Sequence, residues 1–365
     1  MTSCPSCVMA PRISTASRLA KLIPALAFAL LALLATSATA RQLSRASLAA
    51  TVPFDAIRSC LTDPDDVFQF TSLPAGFEPS DAIFDDRSNQ LFVVSDDGTV
   101  AAFRPDGELV ATWGVQVPDW VVESSGVKLK KRKGKGRKGK VASVRADLEG
   151  CTIVPDRPDF LYLAMEFPPA LLEFSLTQGR VIRAFPLASF IGTKPTTAGV
   201  EALTFIPDPA APHGGWFAVG RQSDATIFVF DVPPIYGTRV HPLVLRGTMQ
   251  PPGPREDLSA LLVLPGEEQL VAVFDKPQVA VAIDLRDARF VNELLAPTTL
   301  SSAVHVDVAR GPEAMTATTP YRGIEAFALA RTGPDRDRLM LFLGLDVNKS
   351  KTRELYRLTC RVREP

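Results

Sequence analysis

Histidine is scarce in this sequence: its 365 residues contain only His213, His241 and His305. A Ser-His-Asp triad needs a histidine beside its nucleophile, and the chain has no G-x-S-x-G segment of the kind that presents such a serine. The H-E-x-x-H segment of zinc peptidases is also absent. These absences argue against the common serine hydrolases and zinc peptidases.

Negative charge is missing from the start of the chain, where the first carboxylate is Asp55. Three basic residues precede the apolar run "LIPALAFALLALLA", and small residues follow it up to Ala40. This order is typical of a secretory signal peptide cleaved after Ala40, so we predict a signal at 1–40 and a linker at 41–59. An uncleaved anchor and an organellar transit peptide, which would lead to an organelle lumen, remain alternatives. No later stretch is long and apolar enough to cross a bilayer.

Cysteine is also limited once the predicted signal is removed. Cys60, Cys151 and Cys360 then remain. An odd count in an oxidising compartment indicates one disulfide and one buried thiol. The triplet that begins at Asn348 is a glycosylation sequon, which fits secretion.

The formal charge of zero hides an uneven distribution of basic residues. Of the 40 Lys and Arg residues, three lie in the predicted signal and nine in the run 128–140. The run lies in a predicted insertion at about 115–146. A solvated loop and a polyanion-binding patch are both consistent with it, and behind a signal peptide we expect no nucleic acid partner. The candidate polyanion-binding residues are Lys130, Lys131, Arg132, Lys133, Arg137 and Lys138.

Helical periodicity is nearly absent, whereas one strand-rich module recurs along the chain. Each module contains an apolar strand, a turn rich in Pro, Gly or Asp, a β-branched strand, a polar break and a third strand. The modules begin at Ser80, Asp147, Gly199, Asp257 and Gly323. We therefore predict an all-β fold, a single β-propeller at 60–365 with five visible blades, six being possible. A β-sandwich is the alternative.

The ends of the chain are predicted to close the ring. The last module lacks a fourth strand, and the segment 66–73 has a strand pattern without a partner. Adding this segment to the last blade as its outer strand removes an exposed edge. The same pairing brings Cys60 near Cys360, so we predict that these two form the disulfide and that Cys151 stays reduced.

A carboxylate recurs in the first strand of the modules, at Asp81, Glu149, Glu201 and Glu325, with Ser259 in the fourth module. A charge on an apolar side of a strand must reach water, a donor or a cation. The innermost strand of a blade borders the central channel, so we expect these side chains to meet at one mouth of it. Such a ring would suit Ca²⁺. Separate structural contacts between blades are the alternative.

A second set of polar residues stands where the second strands end. Loops at a propeller face often carry function, although solvated turn residues are the simpler interpretation. These candidates for lining a ligand-binding face are Asp96, Glu166, Arg221, Asp275, Lys276 and Asp346.

The segments "DLEGCTIVPDRPDFLYLAMEFPPALLEFSL", "GVEALTF" and "GIEAFAL" resemble the SdiA-regulated family of propellers, which is similar to the phytase-like, esterase-like propeller group. The resemblance covers roughly 70–358 and departs from the family pattern at Ser259 and in the basic insertion. It implies a secreted or periplasmic propeller, often with bound calcium. Two hypotheses follow: a binding or scaffolding protein, and a metal-dependent hydrolase of phosphoesters or esters.

Overall fold

Short runs of apolar and β-branched residues, separated by turn residues, fold into antiparallel strands throughout the described part of the chain. In the computed structural model these strands form five four-stranded sheets arranged as a five-bladed β-propeller. The residues that the structure describes are 52–125, 146–192, 199–211, 213–235, 237–251, 254–266, 268–285, 316–318, 323–332, 337–347 and 352–362.

Each blade runs from an inner strand at the channel to an outer strand. Blade 1 contains β2 (Pro79–Asp85), β3 (Gln90–Ser95), β4 (Thr99–Phe103) and β5 (Leu109–Gly114). Blade 2 contains β6 (Leu148–Thr152), β7 (Phe160–Met165), β8 (Ala170–Ser175) and β9 (Arg180–Pro186). Blade 3 contains β10 (Val200–Pro207), β11 (Gly215–Arg221), β12 (Ile227–Asp231) and β13 (Leu245–Met249). Blade 4 contains β14 (Leu258–Val263), β15 (Gln269–Phe274), β16 (Val279–Asp284) and β17 (Thr316–Thr318).

Blade 5 closes the ring with strands from both ends of the chain. It contains β18 (Ile324–Thr332), β19 (Arg338–Val347), β20 (Thr352–Arg361) and, as its outer strand, β1 (Asp66–Gln69). The strands β1 and β20 are antiparallel. This pairing confirms the predicted closure of the propeller.

The predicted disulfide is confirmed as well. Cys60 is bonded to Cys360 with their Cα atoms 5.5 Å apart, and Cys151 is a buried free thiol. Disulfides are typical of proteins outside the cytosol. The bond ties the segment before β1 to the strand with which β1 pairs.

Part of the predicted linker is a helix. The helix α1 (Phe54–Thr62) buries Phe54, Ile57 and Leu61 against the apolar layer between blades 4 and 5. Their spacing of three and four residues is that of one helix face, in a segment too short to stand out in the sequence. Two further short helices are α2 (Asp119–Ser124) and α3 (Ala188–Ile191).

Several predicted features lie outside the described residues: the signal at 1–40, the basic run at 128–140 and the sequon at Asn348. Within the described ranges, no helix is long and apolar enough to cross a membrane.

The apolar core is divided among the interfaces between blades, where neighbouring sheets pack face to face. The inner strands β2, β6, β10, β14 and β18 contact one another in succession around the channel. Residues at equivalent places on these strands therefore face a common space.

Candidate metal centre at the mouth of the channel

Every inner strand shifts its register against the second strand of its blade at the same place, near its start. In blade 2, Leu148 pairs with Met165 and Gly150 with Ala164, so one residue is inserted between the two pairs. Such a β-bulge changes the direction in which the inserted side chain points. The inserted residues of the five blades are Ser80, Glu149, Glu201, Ser259 and Glu325.

Asp81 is not the blade 1 equivalent of the glutamates. The inserted residue of blade 1 is Ser80, and Asp81 follows it, paired with Val94. Successive side chains of a strand point to opposite faces, so an offset of one residue changes the side on which a carboxylate lies. Alignment of the modules by sequence matched Asp81 to the glutamates, although the equivalent residue is Ser80. The assignment of Asp81 to the ring is therefore wrong.

The carboxylate of Asp81 instead connects blades beneath the ring. Its Oδ1 atom accepts a hydrogen bond from its neighbour Ala82 at 2.8 Å, and its Oδ2 atom accepts one from the backbone of Cys151 in blade 2 at 2.7 Å. The backbone of Leu203 in blade 3 is a third partner. Burial raises the pKa of Asp81 well above its usual value, although these three donors lower it. Asp81 is therefore a structural contact that spans three blades.

Ser259, where the repeat lacks a carboxylate, also makes a contact between blades. Its hydroxyl donates to the carbonyl oxygen of Ile324, on the inner strand of blade 5, at 2.8 Å. In blade 1, the hydroxyl of Ser80 donates to the carbonyl oxygen of Glu78 at 3.3 Å. Two of the five inserted residues are thus neutral and use their hydroxyl groups on the backbone.

The three glutamates form one electrostatic cluster. Burial raises the pKa of Glu149 well above its usual value, and Glu201, Asp147 and Glu325 raise it further. Burial likewise raises the pKa of Glu201 to about 9, with contributions from Glu166 and Glu325. Charges that act on a neighbour in this way lie near it, so Glu149, Glu201 and Glu325 belong to one group of carboxylates near the starts of the inner strands.

Asp147 and Glu166 extend this cluster on blade 2. Oxygen atoms of Asp147, Glu149 and Glu166 lie within 4.8 Å of one another. Burial raises the pKa of Glu166 to about 7, and Asp147 adds to the rise. The backbone N–H of Gly199 in blade 3 donates to Glu166 Oε1 at 3.1 Å and so orients this carboxylate.

The residue at position 199 must be small. A Cβ atom there would lie 2.7 Å from Cγ of Glu166, closer than any ordinary carbon contact. Glycine at position 199 therefore leaves room for the Glu166 side chain against the backbone of blade 3.

Some of the polar residues predicted at the ends of the second strands lie with the carboxylates of the inner strands. The end of each second strand lies beside the start of the inner strand because the two strands are antiparallel. Glu166 belongs to the cluster, and the pKa of Asp147 is raised first by burial and then by the charge of Asp96. The backbone of Asp275 donates to the carbonyl oxygen of Asp257 at the corresponding place in blade 4. The side chain of Asp346 lies outside the described residues.

The two basic residues of this second set, Arg221 and Lys276, form ion pairs with aspartates. Arg221 forms an ion pair with Asp224 at 2.5 Å. Lys276 reaches Asp257 at 2.6 Å, although the lysine side chain is largely exposed. The end of the blade 3 strand that corresponds to Glu166 is occupied by Gln222, whose N–H donates to the carbonyl oxygen of Gly199.

The sequence reasoning missed Asp147 and Asp257 as candidates for the site. Each stands two residues before an inserted residue, in "DLEG" and "DLSA". The repeated Asp-Leu pair before these two inserted residues was a usable signal.

The donor set fits a hard divalent cation. Ca²⁺ takes oxygen ligands, mostly carboxylates and carbonyl groups. Here oxygen atoms of Asp147, Glu149 and Glu166 lie within 4.8 Å of one another, and the charges of Glu201 and Glu325 add to the effect of burial on the pKa of Glu149. Without a cation such a group retains protons, as the raised pKa values indicate.

The fold and the site together define a β-propeller with an acidic channel mouth. The family model of phytase-like proteins, described as "Esterase-like activity of phytase", matches residues 76–346. The chain belongs to this family, which confirms the resemblance to phytase-like propellers. Its assignment to the SdiA-regulated family stays a prediction. No curated protein matches the chain.

Several solved structures are similar to the chain at low identity. Hydrazine synthase of Kuenenia stuttgartiensis is 13% identical, with 77% of this chain and 60% of that chain covered and a TM-score of 0.38. The Cps50 (Swd1) β-propeller domain of Myceliophteria thermophila is 12% identical, with 79% and 70% covered and a TM-score of 0.35. Glutaminyl cyclase of Myxococcus xanthus is 12% identical, with 82% and 97% covered and a TM-score of 0.43. These TM-scores are too low to carry an argument about function.

Proposed function

We propose that this protein is a secreted propeller that binds calcium at its channel mouth and uses the bound ion to hold a ligand at that face. The observation that carries the proposal is the close grouping of Asp147, Glu149 and Glu166, whose oxygen atoms lie within 4.8 Å of one another, beside Glu201, whose charge adds to the effect of burial on the pKa of Glu149. Repulsion within such a group is relieved by protons or by a cation. A hard divalent ion would relieve it at neutral pH.

The residues that would hold the ion come from three blades. Asp147, Glu149 and Glu166 belong to blade 2, Glu201 to blade 3 and Glu325 to blade 5. A bound calcium ion would supply a positive charge that attracts anionic oxygen atoms of a ligand. The backbone N–H of Gly199 keeps the Glu166 carboxylate oriented toward this group.

Calcium titration of the purified protein tests the proposal. A ligand that binds only the folded state raises the melting temperature, by an amount that grows with concentration. We expect calcium to do so after chelation of resident metal, and we expect Glu201→Gln to weaken the effect. Glu108→Gln is the matched control, because Glu108 is an exposed residue that pairs with Arg104 on blade 1. Equal calcium response in all three proteins would contradict the proposal.

A metal-dependent hydrolase is the second candidate. The family description, which names an esterase-like activity of phytase, favours it. Glu166 adds to it, because a carboxylate beside Asp147 and Glu149 could help to hold a metal ion that activates water. Assays with p-nitrophenyl phosphate and p-nitrophenyl acetate, with calcium and with a chelator, separate the candidates. Calcium binding without turnover supports the binding protein, and calcium-dependent turnover lost in Glu166→Gln supports the hydrolase.

Secretion and polyanion binding belong to the same proposal. The signal-like segment that ends at Ala40, the sequon at Asn348 and the Cys60–Cys360 bond support passage through an oxidising compartment. N-terminal sequencing of the mature protein should begin at Arg41. Deletion of 128–140 should abolish salt-sensitive heparin binding and leave the melting temperature nearly unchanged. A large fall in melting temperature would show that the basic run stabilises the fold.

A further inference from the structure

A cavity of about 640 Å³ lies at the outer side of blade 2, away from the channel mouth. Its walls come from β9, from α2 and from the loop that follows β12 in blade 3. Phe160 lines it at the start of β7, whereas Glu166 of the acidic cluster follows the end of the same strand. Six residues of extended chain span about 20 Å, so the cavity and the channel mouth are separate places.

Buried charged residues form one wall of the cavity. Tyr162, Glu173 and Arg183 are direct neighbours on β7, β8 and β9. The Tyr162 hydroxyl donates to Glu173 at 3.0 Å, and Arg183 forms an ion pair with Glu173. Arg157 donates to the Tyr162 hydroxyl at 2.8 Å. All four are at least 95% buried, and Glu173 and Arg183 line the cavity while Arg157 and Tyr162 lie behind them.

The opposite wall is fixed to β9 by backbone hydrogen bonds. Ala184 donates to the carbonyl oxygen of Arg239 at 2.8 Å, and His241 donates back to Ala184 at 3.1 Å. The guanidinium of Arg183 also donates to the carbonyl oxygen of Pro234 at 2.6 Å. The loop from blade 3 is therefore held against blade 2, and the cavity is formed before any ligand binds.

The rim of the cavity combines positive charge with apolar surface. Arg180 and Arg239 are exposed, and neither forms a salt bridge within the ranges that the structure describes. Trp120 and Ile235 supply apolar surface, and Ile235 is 51% exposed. The one acidic residue among the lining residues is Glu173, whose charge Arg183 already neutralises.

We propose that this cavity binds a small organic anion whose acidic head contacts Arg180 and Arg239 and whose apolar body lies against Trp120 and Ile235. Guanidinium groups bind carboxylates, sulfonates and phosphates through charge-assisted hydrogen bonds. Cavities of about 300–1,000 Å³ with apolar walls and a few polar groups are typical of sites for such molecules. The site is independent of the calcium proposal, because it shares no residue with the channel mouth.

Two probes with nearly the same aromatic body test the charge requirement. One is 8-anilinonaphthalene-1-sulfonate, and the other is the neutral N-phenyl-1-naphthylamine. We expect one saturable site for the sulfonate, weakened about tenfold or more in the double variant Arg180→Gln/Arg239→Gln because two charge-assisted contacts are lost. Binding of the neutral probe should change less than about twofold, since its apolar contacts persist.

Two further variants complete the test. Arg104→Gln, an exposed arginine on blade 1, should leave both probes unaffected. Ile235→Ser should weaken both probes, and it changes an exposed residue that the fold does not need. The proposal is overturned if the double variant binds the sulfonate normally, or if both probes weaken equally in it. In a competition experiment, 1-naphthaleneacetate should displace the sulfonate better than inorganic phosphate does at equal concentration. Equal displacement by the two competitors would also overturn the proposal, because the apolar body would then contribute nothing.

Discussion

Calcium binding to the channel mouth should release protons. In the cation-free protein the pKa of Glu201 is about 9, that of Glu166 is about 7 and that of Glu149 lies well above its usual value. Glu201 is therefore mostly protonated at neutral pH, and Glu166 is about half protonated. A cation binds the ionised carboxylates, so their protons must leave as it enters.

The number of protons follows from those values. At about pH 7, Glu201 holds about one proton and Glu166 holds about half, so more than one is released per ion, and the raised pKa of Glu149 adds to that number. The apparent affinity should then rise by more than about tenfold per pH unit near neutrality. The number released should fall by more than one between about pH 7 and pH 10, as Glu166 and Glu201 ionise without the cation.

Isothermal titration calorimetry measures this release directly. At one pH, the observed enthalpy in buffers of different ionisation enthalpy changes in proportion to the protons released. Glu201→Gln should lower the number by about one, whereas Glu108→Gln should not change it. Calcium binding without proton release would refute the idea that ion and protons compete for the same carboxylates.

The same groups set how the stability of the cation-free protein depends on pH. Their pKa values in the folded state lie above the ordinary glutamate value of 4.5, so the folded state binds more protons than the unfolded state. The free energy of unfolding should therefore be highest near pH 5 and should fall as the pH rises through about 7 toward about 9. Saturating calcium should reduce this loss, because it stabilises the ionised form.

Three further predictions concern contacts that hold the site. Asp81→Ala should lower the free energy of unfolding by about 2–5 kcal/mol in urea denaturation, because it leaves buried N–H groups without an acceptor. Asp106→Ala, at an exposed turn, is the control. An Asp81→Ala loss no larger than the control's would contradict the contact between blades. Cys60→Ser should cost about 4–5 kcal/mol because the bond closes a long loop, and a loss below about 1 kcal/mol would contradict this. Gly199→Ala should weaken calcium stabilisation by displacing the Glu166 side chain, whereas Gly114→Ala, with nothing within 4 Å, should not.

The fold was predictable because its signals are repeated and local. Each blade carries the same alternation of apolar strands and turn residues, and the unpaired segment near Asp66 matched the blade that lacked a strand. The pairing of Cys60 with Cys360 followed from that closure. Helix α1 was missed because nine residues give one buried face too few positions to separate it from a linker.

The site was predictable only in part because a β-bulge breaks the alternation on which the prediction depended. The register shift hides which residue of "PSDAIF" in blade 1 corresponds to Glu149, and Asp81 was the only acid available there. The meeting of Glu166 with Gly199 depends on the contact between blades 2 and 3, which no local pattern reports. Burial, and hence the pKa of each carboxylate, is likewise a property of the assembled ring.

The five-bladed fold does not produce a site with fivefold symmetry. Adjacent blades 2 and 3 supply Glu149 and Glu201, whereas blades 1 and 4 place serines at the same bulge and blade 5 places Glu325 between them. In every blade the bulge interrupts the hydrogen bonding between the inner and second strands, but only three blades place a carboxylate there. Because Asp147 and Glu166 also belong to blade 2, the negative charge is concentrated on one side of the mouth. The fold thus supplies five equivalent positions, and the sequence at those positions decides where a cation can be held.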